Sequence, residues 1–376
     1  MKRPFRDHHI LAIFNTYEMQ RGPLDLFLRN YFRFNKAIGA KDRKVISETI
    51  YGMIRWQGLI DYLSEKPLSW DKRLQQFAQF SPQAHLSDSN IPLHIRLSFP
   101  KSYFQLLSTL LGEDKAIEFC LASNSPAPTT VRINTLKISR CSLLEQWASS
   151  YEVSACKQSL AGIHFHKKIN FFGLQEFKMG LFEIQDEASQ LIADLVAAVP
   201  GDQVLDFCAG SGGKALAIAP RLQDKGQLYL HDIRETALQE AKKRLYRAGI
   251  QNAQVLYPNA LHKPALLGTM DWVLVDAPCS GSGTLRRNPD MKWKFDEDNI
   301  RQLIKEQRAI FAEALQFLKN GGKIVYATCS VLPVENEQQA AYFEETHSLK
   351  RLSNSFTSFP KKGEMDGFFG VVFIRE

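Results

Sequence analysis

A chain of 376 residues, 44% hydrophobic and 23% charged, carries enough apolar surface for two or three domains with full cores. No apolar run approaches the roughly 18 residues of a membrane-spanning helix, and "ILAIF" near the N-terminus is too short for a secretory signal, so a cytoplasmic chain without membrane contact is expected. The net charge is +7, and nearly all of the excess falls in the first 56 residues, where eleven Lys or Arg stand against five Asp or Glu; clustered charge of this sign attracts a polyanion.

Apolar residues at three- and four-residue spacing run through "HHILAIFNTYEM", "PLDLFLRNYFRF", "DRKVISETIYGMIRWQGLIDYL", "SYFQLLSTLL" and "DKAIEFCLAS". Pro23, Gly39, Pro67, Pro92 and Pro100 punctuate them, which predicts an all-helical domain over residues 1–123. Within it Arg33, Lys36, Lys41, Arg43 and Lys44 are the candidate phosphate contacts. "SNSPAPTT" then breaks the pattern. "TTVRINTLK", a helix around "SLLEQWASS" and "AGIHFH" predict a strand, helix, strand unit, and "LFEIQDEASQLIADLVAAV" an amphipathic lead-in helix, so that residues 124–196 form a small α+β subdomain.

From Asp202 strands and helices alternate: "QVLDFCA", a helix from Lys214, "GQLYLHDI", a helix from Glu235, "AQVLYPNA", "DWVLVDAP", a helix over 299–318, "KIVYATCS", a helix from Glu335 and a closing strand "GFFGVVFIR". This order predicts an α/β domain over 197–376 with a Rossmann-like, doubly wound and largely parallel sheet. Such sheets bind ligands at the carboxyl ends of their strands, where Cys208, Cys279 and Cys329 fall.

The six cysteines, at 120, 141, 156, 208, 279 and 329, lack the CxxC or Cys/His spacing of a zinc site and are expected to be free thiols. His164 and His166 alternate on a strand, which accounts for their spacing without a metal. No metal is expected. Cys120, Cys141 and Cys156 read as packing residues, and Cys208 as packing beneath a ligand.

"DFCAGSGGKA" follows the first strand of the α/β domain. Its glycines permit a tight turn, and the next helix offers unpaired N–H groups. A phosphate-binding GxxxxGK[ST] loop is excluded, since Cys208 and Ala215 stand where Gly and Ser or Thr would be needed. Gly210, Gly212 and Ala215 satisfy GxGxxG/A, with Asp232 at the end of the second strand, so a dinucleotide is allowed. S-adenosylmethionine (SAM) fits equally, with Asp232 for the ribose hydroxyls and Asn259 for the adenine. The loop alone leaves both open. Asp206 is expected to orient the loop through its N–H groups, and Lys214 to reach a carboxylate or the base.

The segments "DAPCSGSGTLRRNPDMKW" and "ATCSVLPVENE" separate them. Each sets a thiol just past a strand, the first beside the Asp276 carboxylate, with Arg286 and Arg287 following in a glycine-containing loop suited to phosphate oxygens. Hydride transfer uses none of this. Methylation of a pyrimidine at C5 uses all of it: a thiolate adds to C6 to make C5 nucleophilic, a carboxylate stabilises the charge that results, and a second thiol helps remove the C5 proton so that the first can leave.

On these segments, with "CAGSGGK", "GLFEIQDEASQ" and the terminal "DGFFGVVFIRE", the chain resembles the RsmB/Nop/NSUN family of RNA 5-methylcytosine methyltransferases over almost its full length. "YFRFNKAIGAKDRKVISETIYGMIRW" is similar to the helical NusB-like domain of the bacterial ribosomal RNA branch. The resemblance implies that Cys329 is the nucleophile, that Cys279 assists release and that Asp276 contacts the base. It implies further that Cys208, Ala209, Gly210, Ser211, Gly212, Gly213, Lys214, Asp232, Asn259 and Asp276 surround SAM, and that the substrate is small-subunit (16S) ribosomal RNA, met by a monomer. Gly210-Ser211 replaces the family's usual Ala-Pro, and Asn259 its more frequent Asp; the amide oxygen still accepts a hydrogen bond, without charge. The alternatives are transfer RNA as substrate, a non-catalytic RNA-binding assembly factor, and a dinucleotide-dependent oxidoreductase.

Overall fold

Thr284–Asp296, which chain order assigns to the α/β domain, is built into the helical unit. The computed structural model describes residues 4–18, 22–258 and 264–376. Within it the chain up to Pro126 and Thr284–Asp296 make one unit, and Ala127–Gly283 with Glu297–Glu376 the other.

The helical unit contains α1 (Phe5–Tyr17), α2 (Leu24–Phe34), α3 (Ala40–Arg55), α4 (Gln57–Leu63), α5 (Trp70–Ala78), α6 (Leu93–Arg96), α7 (Lys101–Leu111) and α8 (Glu113–Ser123). Ile10, Ile13, Phe14, Leu28, Ile46, Ile50 and Met53 form its core, and Phe14 stacks on Trp70 with centroids 3.9 Å apart. The inserted segment is tied in by polar groups that would be costly to bury unpaired. Tyr17 Oη donates to Asp290 at 2.9 Å, and Trp293 Nε1 to the Ile54 carbonyl at 2.8 Å. Lys292 Nζ donates to the Arg55 carbonyl and to Asn124 Oδ1, both at 2.6 Å. Lys292 is fully buried, and that burial pushes its ammonium well below the usual lysine range. Tyr103 stacks on Phe295.

The second unit begins with a four-stranded antiparallel sheet in the order β2-β3-β1-β4, from β1 (Thr129–Ile133), β2 (Val153–Ala155), β3 (Gly162–Phe165) and β4 (Phe182–Ile184), together with α9 (Arg140–Ala148) and the short α10 (Gln175–Lys178). Residues 181–199, expected as one helix, are instead β4 followed by α11 (Glu187–Asp194). Pairing of β4 with β1 satisfies the backbone of the first part, and Asp186 caps the helix by accepting from the Ala188 N–H.

The larger sheet is built from β5 (Gln203–Asp206), β6 (Gln227–His231), β7 (Ala253–Leu256), β8 (Met270–Asp276), β9 (Leu318–Thr328), β10 (Leu349–Arg351), β11 (Phe356–Ser358) and β12 (Phe368–Arg375). Its order is β10-β12-β9-β8-β5-β6-β7, with β11 paired to β12; β5 to β9 run parallel and β12 is antiparallel to its neighbours. Alternating strand residues serve opposite faces. Leu228, Leu230 and Leu274 pack with Ile218 and Leu222 of α12 (Ala215–Leu222) and Leu238 and Leu245 of α13 (Glu235–Ala248). Val273, Val275, Ile324 and Tyr326 pack with Phe311 of α14 (Glu297–Leu315) and Phe343 of α15 (Glu337–His347). The chain runs outward through β6 and β7 on one side of β5 and through β8 and β9 on the other. The strand order therefore reverses between β5 and β8, the place where such sheets open a ligand crevice.

Candidate active site

A cleft of about 780 Å³ opens at that reversal, lined by Asp206, Cys208, Ala209, Gly210, Ser211, Gly213, Lys214, Asp232 and Asp276 among others. Gly212 is not in the lining. Its φ of +79° is left-handed, and a Cβ there would stand 3.1 Å from Ala241 Cβ, so this glycine serves the approach of loop to helix. Asn259 lies outside the described residues.

The loop is held by two arginines that sequence reasoning missed. Arg132 on β1 donates to the Gly213 carbonyl at 2.9 Å and to the Gln185 side chain. Arg244 on α13 donates to both the carbonyl and the hydroxyl of Ser211, each at 2.8 Å, and is anchored on Glu183, whose other oxygen takes Arg247 at 2.5 Å. Burial lowers the Arg132 guanidinium to about 10, against the opposing pull of Glu183. The two arginines come from a strand and a helix far apart in the chain, which leaves no local motif.

Asp232 is 5% exposed and accepts from the Gly210 N–H and the Arg234 N–H, both at 2.8 Å, and from the Arg234 side chain at 3.0 and 3.1 Å. Burial opposes its charge, but the bonds from Arg234 and Gly210 hold its carboxyl below the usual range. A nucleoside's ribose hydroxyls would meet an ionised acceptor here, with Ile233 exposed beside it. Asp206 is buried, and neither of its oxygens makes a well-formed hydrogen bond. Burial first, and then the Asp276 charge, raise its carboxyl to about 8, with Lys214 pulling the other way. The left-handed Gly210 and the Asp232 carboxylate with its ordered donors, facing one cleft, suit a ligand that carries a ribose, as SAM does.

At the strand ends beside the cleft, Lys214 Nζ lies 2.5 Å from Asp276 Oδ2, and Cys279 Sγ lies 3.3 Å from Cys329 Sγ. Parallel pairing that sets Asp276 opposite Ala327 brings the two Cys-Ser segments together. The Cys279 thiol is held well above the usual range, first by its bond to Cys329, then by burial and by the charges of Cys329 and Glu335. Cys208 lines the cleft; Cys120 and Cys156 are buried and Cys141 is exposed, away from it. Among the described residues no group of three or more His, Cys, Asp or Glu is placed to hold a metal.

In the helical unit Arg33, Lys36, Lys41 and Lys44 are exposed and Arg43 is half-buried, its Nε donating to the Ile38 carbonyl at 2.8 Å. Arg287 is half-buried. Arg286 is a correction: it is 1% exposed, its carbonyl accepts from Arg55 at 2.9 Å, and it belongs to the packed insert instead of a flexible phosphate-binding loop.

Residues 193–373 match the family model of the 16S rRNA methyltransferase RsmB/F, and residues 99–171 match the ferredoxin-like domain of RsmF/B-like methyltransferases. The ribosomal RNA small subunit methyltransferase B of Proteus mirabilis is 30% identical over 340 residues, covering 86% of this chain and 75% of that protein. A probable ribosomal RNA small subunit methyltransferase B of Synechocystis is 29% identical over 321 residues, covering 79% and 71%. The crystal structure of a methyltransferase homolog protein from Pyrococcus horikoshii matches with a TM-score of 0.66 at 27% identity, over 75% of this chain and 97% of that one. With similarity of this extent on both sides of the site, the chain belongs to the 16S rRNA methyltransferase RsmB/F family.

Proposed function

We propose that this chain methylates C5 of a cytosine in small-subunit ribosomal RNA, with SAM as cofactor, Cys329 as nucleophile, Cys279 as the thiol that takes the C5 proton, and Asp276 as the carboxylate beside the base. The observation that carries the proposal is the 3.3 Å approach of the two thiols at strand ends beside the cleft that Asp232 and Asp276 line. Both curated relatives are named small subunit methyltransferases, which supports the choice of RNA.

When bound, SAM supplies an electrophilic methyl on a sulfonium. The Cys329 thiolate adds to C6, and the electron pair of the C5=C6 bond becomes available at C5 for the methyl, which the sulfonium would give up as its S–CH3 bond breaks to leave a neutral thioether. Asp276, fixed by Lys214, stands ready for the N3 edge of the base. With Cys329 bonded to C6, Cys279 gives its proton to water. The Cys279 thiolate then takes the C5 proton, the C–H electron pair restores the C5=C6 bond, and the Cys329–C6 bond breaks. One proton is released overall. Basic residues of the helical unit, Arg33, Lys36, Lys41, Arg43 and Lys44, supply phosphate contacts.

Bisulfite sequencing of ribosomal RNA from cells with and without the gene tests the function. One cytosine of 16S RNA should lose its protection when the gene is deleted and regain it with the purified protein and SAM. Identical 16S profiles would overturn the proposal, and a lost mark in transfer RNA instead would move the substrate there.

A further inference from the structure

Ser280 and Ser330, each the residue directly after a thiol, converge on one carboxylate. Glu335 is fully buried. Its Oε2 accepts from Ser280 Oγ at 2.5 Å and from Ser330 Oγ at 2.6 Å; its Oε1 accepts from the Ser280 N–H at 2.9 Å and from Gln307 Nε2 at 3.1 Å. Gln307 Nε2 also donates to the Pro278 carbonyl at 3.0 Å, just before Cys279, and Tyr326 Oη donates to the Glu335 carbonyl at 2.8 Å. One oxygen of this carboxylate thus bridges the two Cys-Ser segments, and the other fixes the backbone of the first. Regular strand pairing ends at Asp276 and Ala327; beyond it the segments are joined by the Gly283 N–H to the Cys329 carbonyl and the Val331 N–H to Ser282 Oγ, both at 2.9 Å, and directly between the two Cys-Ser steps by Glu335.

We propose that Glu335 is a positioning residue that clamps the two Cys-Ser segments together, so that Cys279 stands where it can take the C5 proton while Cys329 leaves C6. The proposal rests on the assignment of Cys279 to release. A buried carboxylate with four donors holds a rigid, fully satisfied network, whereas without it the Ser280 side of the first segment would lose its charge-assisted tie to the second. Glu335 is itself shut away from solvent, and its effect passes through the two serines.

The test compares Glu335→Ala, Glu335→Gln and Cys279→Ala with the parent by single-turnover methyl transfer and by denaturing gels for a SAM-dependent protein–RNA adduct. In Glu335→Ala the first methyl should be transferred while release slows by about 10²-fold, the cost of a misplacement of roughly 1 Å, so that adduct accumulates as in Cys279→Ala. Glu335→Gln, which keeps the shape, can still accept from the Ser280 N–H and Gln307 through its oxygen and can donate its amide to the two serine hydroxyls, should largely restore release. SAM affinity should be that of the parent in all three. If Glu335→Ala does not fold, Ser280→Ala removes one arm of the clamp and should show a smaller accumulation of the same adduct. Adduct in Cys279→Ala together with parental release in the folded clamp variant would overturn the role of Glu335 alone. No adduct in Cys279→Ala would overturn the assignment of the thiols beneath it.

Discussion

Lys214 Nζ and Asp276 Oδ2, 2.5 Å apart, join the helix that follows β5 to the end of β8 across the point where the sheet reverses. Burial alone would lower the lysine. The Asp276 charge and hydrogen bond outweigh it, with Cys329 and Asp206 adding, and the ammonium is held above its ordinary range. Lys214 is thus a fixed cation among three acidic groups. Lys214→Met should leave Asp276 without its charged donor and cost about 1.5–3 kcal/mol in urea unfolding. The single-turnover rate should fall by about 10²-fold, the size of effect seen when one donor to developing charge is removed. A variant as fast as the parent would take Lys214 out of the chemistry.

The cofactor prediction concerns Asp232. Its oxygens are arranged by backbone N–H groups from Gly210 and Arg234, so that two hydroxyls of a ribose can replace the Arg234 side chain. Asp232→Ala should weaken SAM binding by about 1.5–3 kcal/mol in calorimetry. Unchanged affinity in the folded variant would place the ribose elsewhere.

Neutralising Arg33, Lys36, Lys41, Arg43 and Lys44 together should weaken RNA binding and flatten its dependence on salt, by about 0.7–0.9 log units of slope for each phosphate no longer neutralised. SAM affinity should not move. Arg286→Ala should behave in the opposite way, lowering thermal stability and leaving the salt slope alone, because its side chain is buried in the insert. Equal slopes for the five-fold variant and the parent would mean that the basic segment is solvated surface.

Much of this site was legible in short segments. Strand-end cysteines, a glycine loop and an acid after the second strand are fixed by local sequence, because each sits at a place the alternating pattern defines. What escaped depends on pairs far apart in the chain. Arg132 and Arg244 hold the loop from β1 and α13, and Glu335 joins residues of two different strand ends. The insert misled for the same reason: "RRNPDMKW" looks like a charged surface loop until Asn124 and the carbonyls of Ile54 and Arg55 are seen to receive it. At residues 181–199 helical periodicity extended across β4, whose strand pairing with β1 is set by tertiary contact.

Asp206 gives a prediction in pH. Its carboxyl is raised to about 8, facing Asp276, Asp232 and Lys214, so the folded chain binds a proton that the unfolded chain releases near pH 4. Stability from this group is complete below that value and is lost as pH rises towards 8, by at most about 1.4 kcal/mol per pH unit. Asp206→Asn carries no such charge. The urea midpoint of the parent should therefore fall relative to Asp206→Asn between pH 5 and pH 8, with little further change above. A difference that is constant across this range would show that Asp206 is ionised throughout.

The division of labour between the two thiols is tested most directly by incubating RNA and SAM with Cys279→Ala, Cys329→Ala and the double variant, then resolving the products under denaturing conditions. Cys279→Ala should attack and methylate, then stall as a SAM-dependent protein–RNA adduct, while Cys329→Ala and the double variant form none. An adduct that builds up in Cys329→Ala but not in Cys279→Ala would reverse the two roles, and its absence from both would contradict covalent catalysis with Cys279-assisted release.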